Sequence, residues 1–301
     1  MTVTTKSLHK SVDEDIERAL VSRAQQGDTG AIEDLVRIFQ PVVFNIVLRM
    51  VPDFHEAEDL CQEIMLKSVI KIGLFRGDSR FGTWIYRIAV NHVLNIKKTS
   101  SEKYHEKYLR NPPDDAGMER YFDQGIADPK TIPVELALLT KEVMIKCMLG
   151  MLLCLNRKHR IVFILGHILE VNGAAASAIL DMSEENYRKT LSRARNKLFS
   201  FLNDRCSLVN PGKPCTCERC VAPSIRNGYV DPLKLVFNRP DAPAIREVVS
   251  DIRMKFDTVV SAGWVDLYAS QPRQDSPDIS QKVAQILNHS DLKTFFDTAE
   301  K

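Results

Sequence analysis

Apolar residues recur along residues 13–100 at the i, i+3, i+4, i+7 spacing of helices with one buried stripe: Ile16, Leu20 and Ala24, then Ile32, Leu35, Val36 and Phe39. No alternating period-2 run interrupts them, so the segment reads as helix after helix. Gly27-Asp28 ends the first helix. Pro41 and Pro52 punctuate the next ones, and Asp53-Phe54-His55-Glu56 supplies the N-cap Asp and third-position acid that open a long helix. Residues 101–132 are rich in Pro, Asp and Gly without apolar periodicity, the composition of a solvated, flexible linker. Periodicity returns over 133–203, through Leu136, Leu139, Val143, Cys147 and Cys154, then Leu155 to Leu169, a small-residue stretch, and a basic amphipathic helix ending near Phe201 or Leu202. Cys147 and Cys154 lie seven apart on one face and are expected to be plain core packing. Residues 204–240 are turn-rich. The remainder returns to a helical pattern through Ile245, Val248, Val249, Ile252, Phe256, Val259 and Val260, and later Val283, Ile286 and Leu287. The expected fold is all-α, with two helical modules (13–100 and 133–203), a linker (101–132), and a small, mainly helical C-terminal extension (204–301).

Composition adds limits. The 301 residues are 44% hydrophobic and 27% charged, an ordinary globular balance at a length suited to two or three domains. Lys and Arg number 41 against 39 Asp and Glu, so any nucleic-acid surface must be a local cluster. No apolar run approaches the roughly 18–20 residues of a membrane span, and the N-terminus lacks a signal-peptide layout, so a cytoplasmic protein is expected. Seven cysteines argue against a secreted disulfide framework and for reduced, buried or metal-bound thiols. There is no Gly-rich phosphate loop followed by Lys, no paired-His zinc helix and no Gly-x-Ser-x-Gly turn, so no enzymatic activity is expected.

Two stretches point to nucleic acid. From Val171 to Leu198, a short helix, a tight turn at Asp181-Met182 and a second helix begun by Ser183 form a helix-turn-helix, whose second helix can enter a major groove. Asp181 occupies a turn position that needs unusual backbone angles and is more often Gly. Arg188, Lys189, Arg193, Arg195 and Lys197 outnumber Glu184 and Glu185 on this helix, as phosphate binding requires. The candidate duplex-DNA contacts are Ser183, Glu184, Asn186, Tyr187, Arg188, Lys189, Arg193, Arg195 and Lys197. The second stretch is Phe75-Arg-Gly-Asp-Ser-Arg-Phe-Gly-Thr-Trp84, a polar loop bounded by glycines, followed by a helix bearing Tyr86, Arg87 and Asn91 and ending at Lys97 and Lys98. It mixes aromatic, amide and cationic groups as single-strand recognition does. Trp84 and Tyr86 could each equally serve as core aromatics.

In combination these motifs resemble the bacterial extracytoplasmic-function sigma factors, small members of the sigma-70 family of RNA polymerase initiation factors. The resemblance spans about residues 15–203 and rests on Asp59-Leu-Cys-Gln62-Glu63, Phe75-Arg-Gly-Asp78, Thr83-Trp84-Ile-Tyr86-Arg87-Ile-Ala-Val-Asn91 and Leu191-Ser-Arg193-Ala-Arg195, in that order. It implies a region 2 (13–100) that binds core polymerase and the −10 element, and a region 4 (133–203) that reads the −35 element. It further implies that Asp59, Gln62 and Glu63 dock on the clamp of the largest polymerase subunit, and that region 4 meets the flap of the second largest. The loop with Arg76, Asp78, Ser79 and Arg80, and the helix with Trp84, Tyr86, Arg87, Asn91, Lys97 and Lys98, are implied to bind −10 DNA and capture a flipped base. Melting is then driven by binding energy rather than by ATP. An anti-sigma partner fits the same resemblance. The motif departs from the family at Asn172, Gly173 and Ala175-Ala176-Ser177, and Tyr187 and Lys189-Thr190 replace commoner residues. A stand-alone helix-turn-helix regulator with a sensing C-terminal segment is the alternative, and such a protein has no need of the Asp59-Gln62-Glu63 face.

Cys206, Cys215, Cys217 and Cys220 fall within fifteen residues just past the basic helix. Three readings stay open: a zinc or other thiophilic-metal site, although Cys215-x-Cys217 is tighter than common zinc spacings; a redox pair beside Lys213 and Arg219; or structural thiols. No other cofactor is expected. The segment beyond 221 is read as a regulatory extension.

Overall fold

The computed structural model describes residues 13–110, 113–123 and 135–237, together with Tyr268, Ser280 and Val283. The helical pattern from Ile245 onward lies, but for Val283, outside the described residues. Among the described residues all regular structure is helical, apart from an isolated bridge between Cys206 and Cys215. None of these helices is long and apolar enough to cross a membrane. The chain divides into two compact units, one within Met1–Thr99, Ile161–Leu191 and Arg273–Lys301, the other within Ser100–Arg160 and Ser192–Pro272.

In the first unit, α1 (Glu14–Gln25), α2 (Thr29–Met50), α3 (Phe54–Ile70) and α4 (Phe81–Asn95) pack around α2. Gly27, at φ +85°, makes the turn after α1, and the Asp28 side chain then caps α2 by accepting from the Ala31 N–H at 3.1 Å. Asp53 caps α3 through the Glu56 N–H at 2.9 Å, as the sequence predicts. Pro41 does not break its helix. The exposed ring sits inside a continuous α2, because every residue from Val42 to Met50 is buried and that burial outweighs one missing backbone bond. Inside the core the Asn45 amide donates to the Pro41 carbonyl at 2.8 Å, and the buried Arg49 guanidinium reaches Asn45 Oδ1 at 2.6 Å.

After α8 (Arg157–Phe163) the chain passes through a π-helical turn over Ile164–Ile168 into α9 (Gly173–Ile179) and α10 (Glu184–Asn203). Asn172 caps α9 by accepting from the Ala175 N–H at 2.8 Å, and Ser183 Oγ accepts from the Asn186 N–H at the start of α10. Asp181 in the turn has φ +50°, the left-handed conformation expected from its position.

The second unit corrects two expectations. Residues 101–132 are not all solvated linker, since α5 (Ser100–Arg110) and α6 (Asp115–Asp123) fall within or at the edge of that span. Buried Glu102 on α5 is bonded by Arg157 and Arg160, a tertiary pairing that composition does not reveal. Residues 221–237, placed by sequence in a separate extension, instead complete the core around α7 (Leu136–Met151). Leu139 and Val143 of α7 bury against Val221 of α11 (Val221–Arg226), Val230 and Leu235. Fully buried Glu142 accepts from the backbone N–H groups of Val236 at 2.9 Å and Phe237 at 3.0 Å, and the Tyr229 hydroxyl donates to the Lys146 carbonyl at 3.1 Å.

Two substitutions test these assignments. Asp181→Gly should raise the unfolding free energy by about 1 kcal/mol, because Gly adopts φ > 0 without the penalty of a Cβ. Glu142→Ala should lower it by about 1–3 kcal/mol by leaving buried N–H donors short of an acceptor. Urea denaturation followed by circular dichroism measures both.

Candidate nucleic-acid and polymerase interface

The loop before α4 is held at both ends by α1. Buried Glu17 accepts from the Phe81 N–H at 2.9 Å and lies 3.4 Å from the Arg80 guanidinium, so a carboxylate from another helix caps the N-terminus of α4. Gln25 Nε2 donates to the carbonyls of Ile72 at 3.0 Å and Phe75 at 2.9 Å. Between these anchors Gly77, at φ +80°, lets the chain turn, and a cleft of about 430 Å³ opens between α1 and the loop, lined by Glu17, Gln25, Phe75, Arg76, Ser79 and Arg80 among others. Sequence reading missed Glu17 and Gln25. The acid-rich first turn of α1 resembles any solvated helix start, and only the fold brings it to residue 81.

Around the loop, Phe75, Phe81 and Trp84 form an aromatic cluster with ring centroids 5.3–5.5 Å apart. Arg76, Asp78 and Arg80 are exposed, with Ser79 half-buried. On α4, Trp84 is half-buried, while Arg87, Asn91 and, beyond the helix, Lys97 and Lys98 are exposed. Tyr86 is not on the surface. It is buried edge-on against Phe39, with centroids 6.2 Å apart, so its expected place among the −10 contacts becomes one in the core. Arg87 donates to the Ala178 carbonyl of α9 at 2.9 Å, and α4 packs on α9.

On α3, Asp59 and Glu63 are exposed and Gln62 half-buried, on the side away from buried Ile64. Glu63 pairs with Lys67 at 2.8 Å and lies 3.3 Å from His92 Nε2, while Lys67 Nζ is 3.1 Å from His92 Nδ1. The Lys67 hydrogen bond, aided by His92, holds the Glu63 carboxyl below its usual range. Burial and the Lys67 charge lower His92, which is therefore neutral near pH 7 and accepts from Lys67 at Nδ1.

On the outer side of α10, Ser183, Glu184, Asn186, Arg188, Lys189, Arg193, Arg195 and Lys197 are all exposed, with Lys189 paired to Glu185 at 2.6 Å. Tyr187 again differs from expectation. It is buried beside Gly166, where a Cβ would lie 2.6 Å from the Tyr187 hydroxyl, so α10 crosses the π-helical turn at a glycine. Burial pushes the phenol up to about 12, and its hydroxyl finds no hydrogen-bond partner among the described residues.

In the second unit, Cys206 and Cys215 are bridged through their backbones, and Cys215 Sγ lies 3.5 Å from Cys220 Sγ. Cys147, read as plain core packing, comes from α7 into electrostatic reach of Cys206, Cys215, Cys217 and Cys220. Burial pushes Cys217 up to about 12 and Cys206 to about 11, whereas the Cys220 hydrogen bond and the Arg219 charge hold Cys215 below the ordinary thiol range. Among the described residues no three His, Cys, Asp or Glu side chains stand where one metal ion could take them all.

Residues 35–101 match the Sigma-70 region 2 family. Over 192 residues the chain is 28% identical to the ECF RNA polymerase sigma factor SigW of Bacillus subtilis, covering 61% of this chain and 95% of that protein. The chain is thus similar, over residues 35–101 and more weakly beyond them, to extracytoplasmic-function sigma factors. Over 79 residues it is 43% identical both to the RNA polymerase sigma-H factor of Pseudomonas aeruginosa and to the ECF RNA polymerase sigma-E factor of Escherichia coli K12, matching 26% of this chain and 41% of each relative. A solved structure of CnrH in complex with the cytosolic domain of CnrY has a TM-score of 0.43 and 19% identity, covering 63% of this chain and 98% of that one. The region 2 match in this chain contains α3, the loop and α4, while Glu17 and Gln25, which anchor the loop, lie outside it.

The buried tyrosine gives a test. Tyr187→Phe should raise the unfolding free energy by about 1 kcal/mol by removing an unpartnered hydroxyl, and leave promoter DNA affinity within about twofold in a fluorescence anisotropy titration.

Proposed function

We propose that this chain is a dissociable promoter-specificity subunit of bacterial RNA polymerase that directs transcription initiation and opens the promoter at the −10 element. The observation that carries the proposal is the anchored loop. A cleft of about 430 Å³ with an aromatic wall and exposed arginines suits a single unstacked base, and it lies in and beside the segment that matches region 2. Extruding a base costs a few kcal/mol, and stacking on protein aromatics returns roughly 1–3 kcal/mol per base, so capture of the non-template strand can drive local melting without nucleotide hydrolysis. Phe75 and Phe81 line the cleft with their rings, and Trp84 packs behind them. Arg76 and Arg80 supply charge for the adjoining phosphates, and Asn91, Lys97 and Lys98 extend the track along α4.

The α3 face of Asp59, Gln62 and Glu63 docks on the clamp of the largest polymerase subunit, with Glu63 kept ionised by Lys67. The start of α10 enters the major groove at the −35 element, where Ser183, Glu184, Asn186 and Arg188 face the bases and Lys189, Arg193, Arg195 and Lys197 the phosphates. The helix-turn-helix module is held in place by the flap of the second largest subunit. An anti-sigma protein would silence the factor by covering these same faces.

Run-off transcription from a genomic promoter library, with core polymerase and this protein, should give discrete new starts. The double variant Asp59→Ala/Glu63→Ala should weaken them about tenfold or more, the loss of roughly 1.4 kcal/mol of charge-assisted contact, while remaining folded. Folded protein that binds duplex DNA but yields no starts and no core binding would instead establish the stand-alone regulator.

A further inference from the structure

The thiols at Cys215 and Cys220 have no place in the promoter-binding surfaces, and their geometry points to chemistry of their own. The segment that carries them is a series of turns pinned by backbone bonds: the Asn210 N–H donates to the Cys206 carbonyl at 2.9 Å, the Ser207 N–H to the Cys215 carbonyl at 3.2 Å, and the Cys220 N–H to the Thr216 carbonyl at 3.2 Å. This scaffold holds the two sulfurs 3.5 Å apart, in van der Waals contact, with the Arg219 cation next in sequence to Cys220. Both residues are half-buried and within reach of a small solute, whereas Cys61, on α3, is buried against α2. All seven thiols are free.

We propose that Cys215 and Cys220 form a reversible dithiol–disulfide pair, a site of oxidation by hydroperoxides. The Cys215 thiolate attacks the terminal oxygen of the hydroperoxide. An S–O bond forms, the O–O bond breaks, and the alkoxide leaves as the alcohol after taking a proton. The Cys220 sulfur, giving up its proton, then displaces hydroxide from the Cys215 sulfenic acid, so that an S–S bond forms and water departs. Two thiols lose two electrons in total, and one hydroperoxide becomes one alcohol and one water. Cys215 is the attacking sulfur because it accepts the Cys220 hydrogen bond beside Arg219, while burial pushes Cys206 and Cys217 away from the thiolate form.

Closing the sulfurs to a bond of about 2.05 Å pulls on the turn that carries Arg219. That guanidinium is paired with Glu119 and stacked 4.4 Å over the Phe122 ring of α6, and Lys213 of the same segment pairs with Asp115 at 3.0 Å. Oxidation is thereby transmitted to the helix that this segment clasps.

The test uses the full chain, reduced, freed of reductant and treated with one equivalent of hydrogen peroxide, followed by differential alkylation and peptide mass mapping. A Cys215–Cys220 linkage should form about tenfold faster than oxidation at Cys61, Cys147 or Cys154, and dithiothreitol should reverse it. Cys220→Ser should leave a sulfenic acid at Cys215 that dimedone captures, and Cys215→Ser should give neither linkage nor adduct, with helical circular dichroism retained. Uniform oxidation of all seven thiols would overturn the proposal. So would preferential linkage of another pair, or stoichiometric zinc on the purified protein that keeps both thiols reduced.

Discussion

The carboxylate of Glu17 is the interaction on which the loop before α4 depends. It is buried, so its charge must be met by donors, and it meets them where backbone N–H groups are free by geometry, at the start of α4. The bond fixes where α4 begins, and with Gln25 at the other end it fixes the span of the loop between. A loop with Gly77 at its centre would otherwise sample many shapes. Held at Ile72, Phe75 and Phe81, it keeps a cleft open before any DNA arrives, so the ordering cost is met in folding rather than in binding.

Electrostatics is arranged locally in a chain of nearly balanced charge. Glu63 does not stand bare on the exposed side of α3 but is held ionised and oriented by Lys67, with neutral His92 behind both. Such a preset pair costs little to carry into an interface, since one charge already has its partner. Along α10 the surplus of exposed cations over acids supplies a field for phosphates without making the whole molecule a polycation.

Local chemistry was legible in the sequence and tertiary chemistry was not. The caps at Asp53 and Ser183 and the left-handed turn at Asp181 could be read because each depends on neighbours a few residues away. The likeness to region 2 could be read because the order of its motifs along the chain is itself the signal. Pro41 misled because its intrinsic cost is outweighed by the burial of the nine residues after it, and α5 and α6 were hidden because a long-range partner such as Arg160 for Glu102 leaves no periodic trace. Tyr86 and Tyr187 carry both a ring and a hydroxyl, so their side of the surface was undecided until the positions of Phe39 and Gly166 were known. Cys147 was assigned to core packing for want of any local sign that the turns after residue 204 fold back toward it.

The packing of Val221, Val230 and Leu235 on α7 has a consequence for how this protein can be inherited and recombined. A sequence comparison would place the end of the helix-turn-helix module near residue 203, at the close of its last long helix. The physical boundary is later, because residues up to Phe237 cover Glu142 and the apolar face of α7, and buried Tyr268 belongs to the same unit. A chimera that exchanges helix-turn-helix modules at the apparent boundary would part α7 from its own covering, whereas one that carries the segment beyond 203 along with α7 would keep the two together. Selection acting on whole modules would accordingly keep the cysteine turns and the region before them together as one heritable unit.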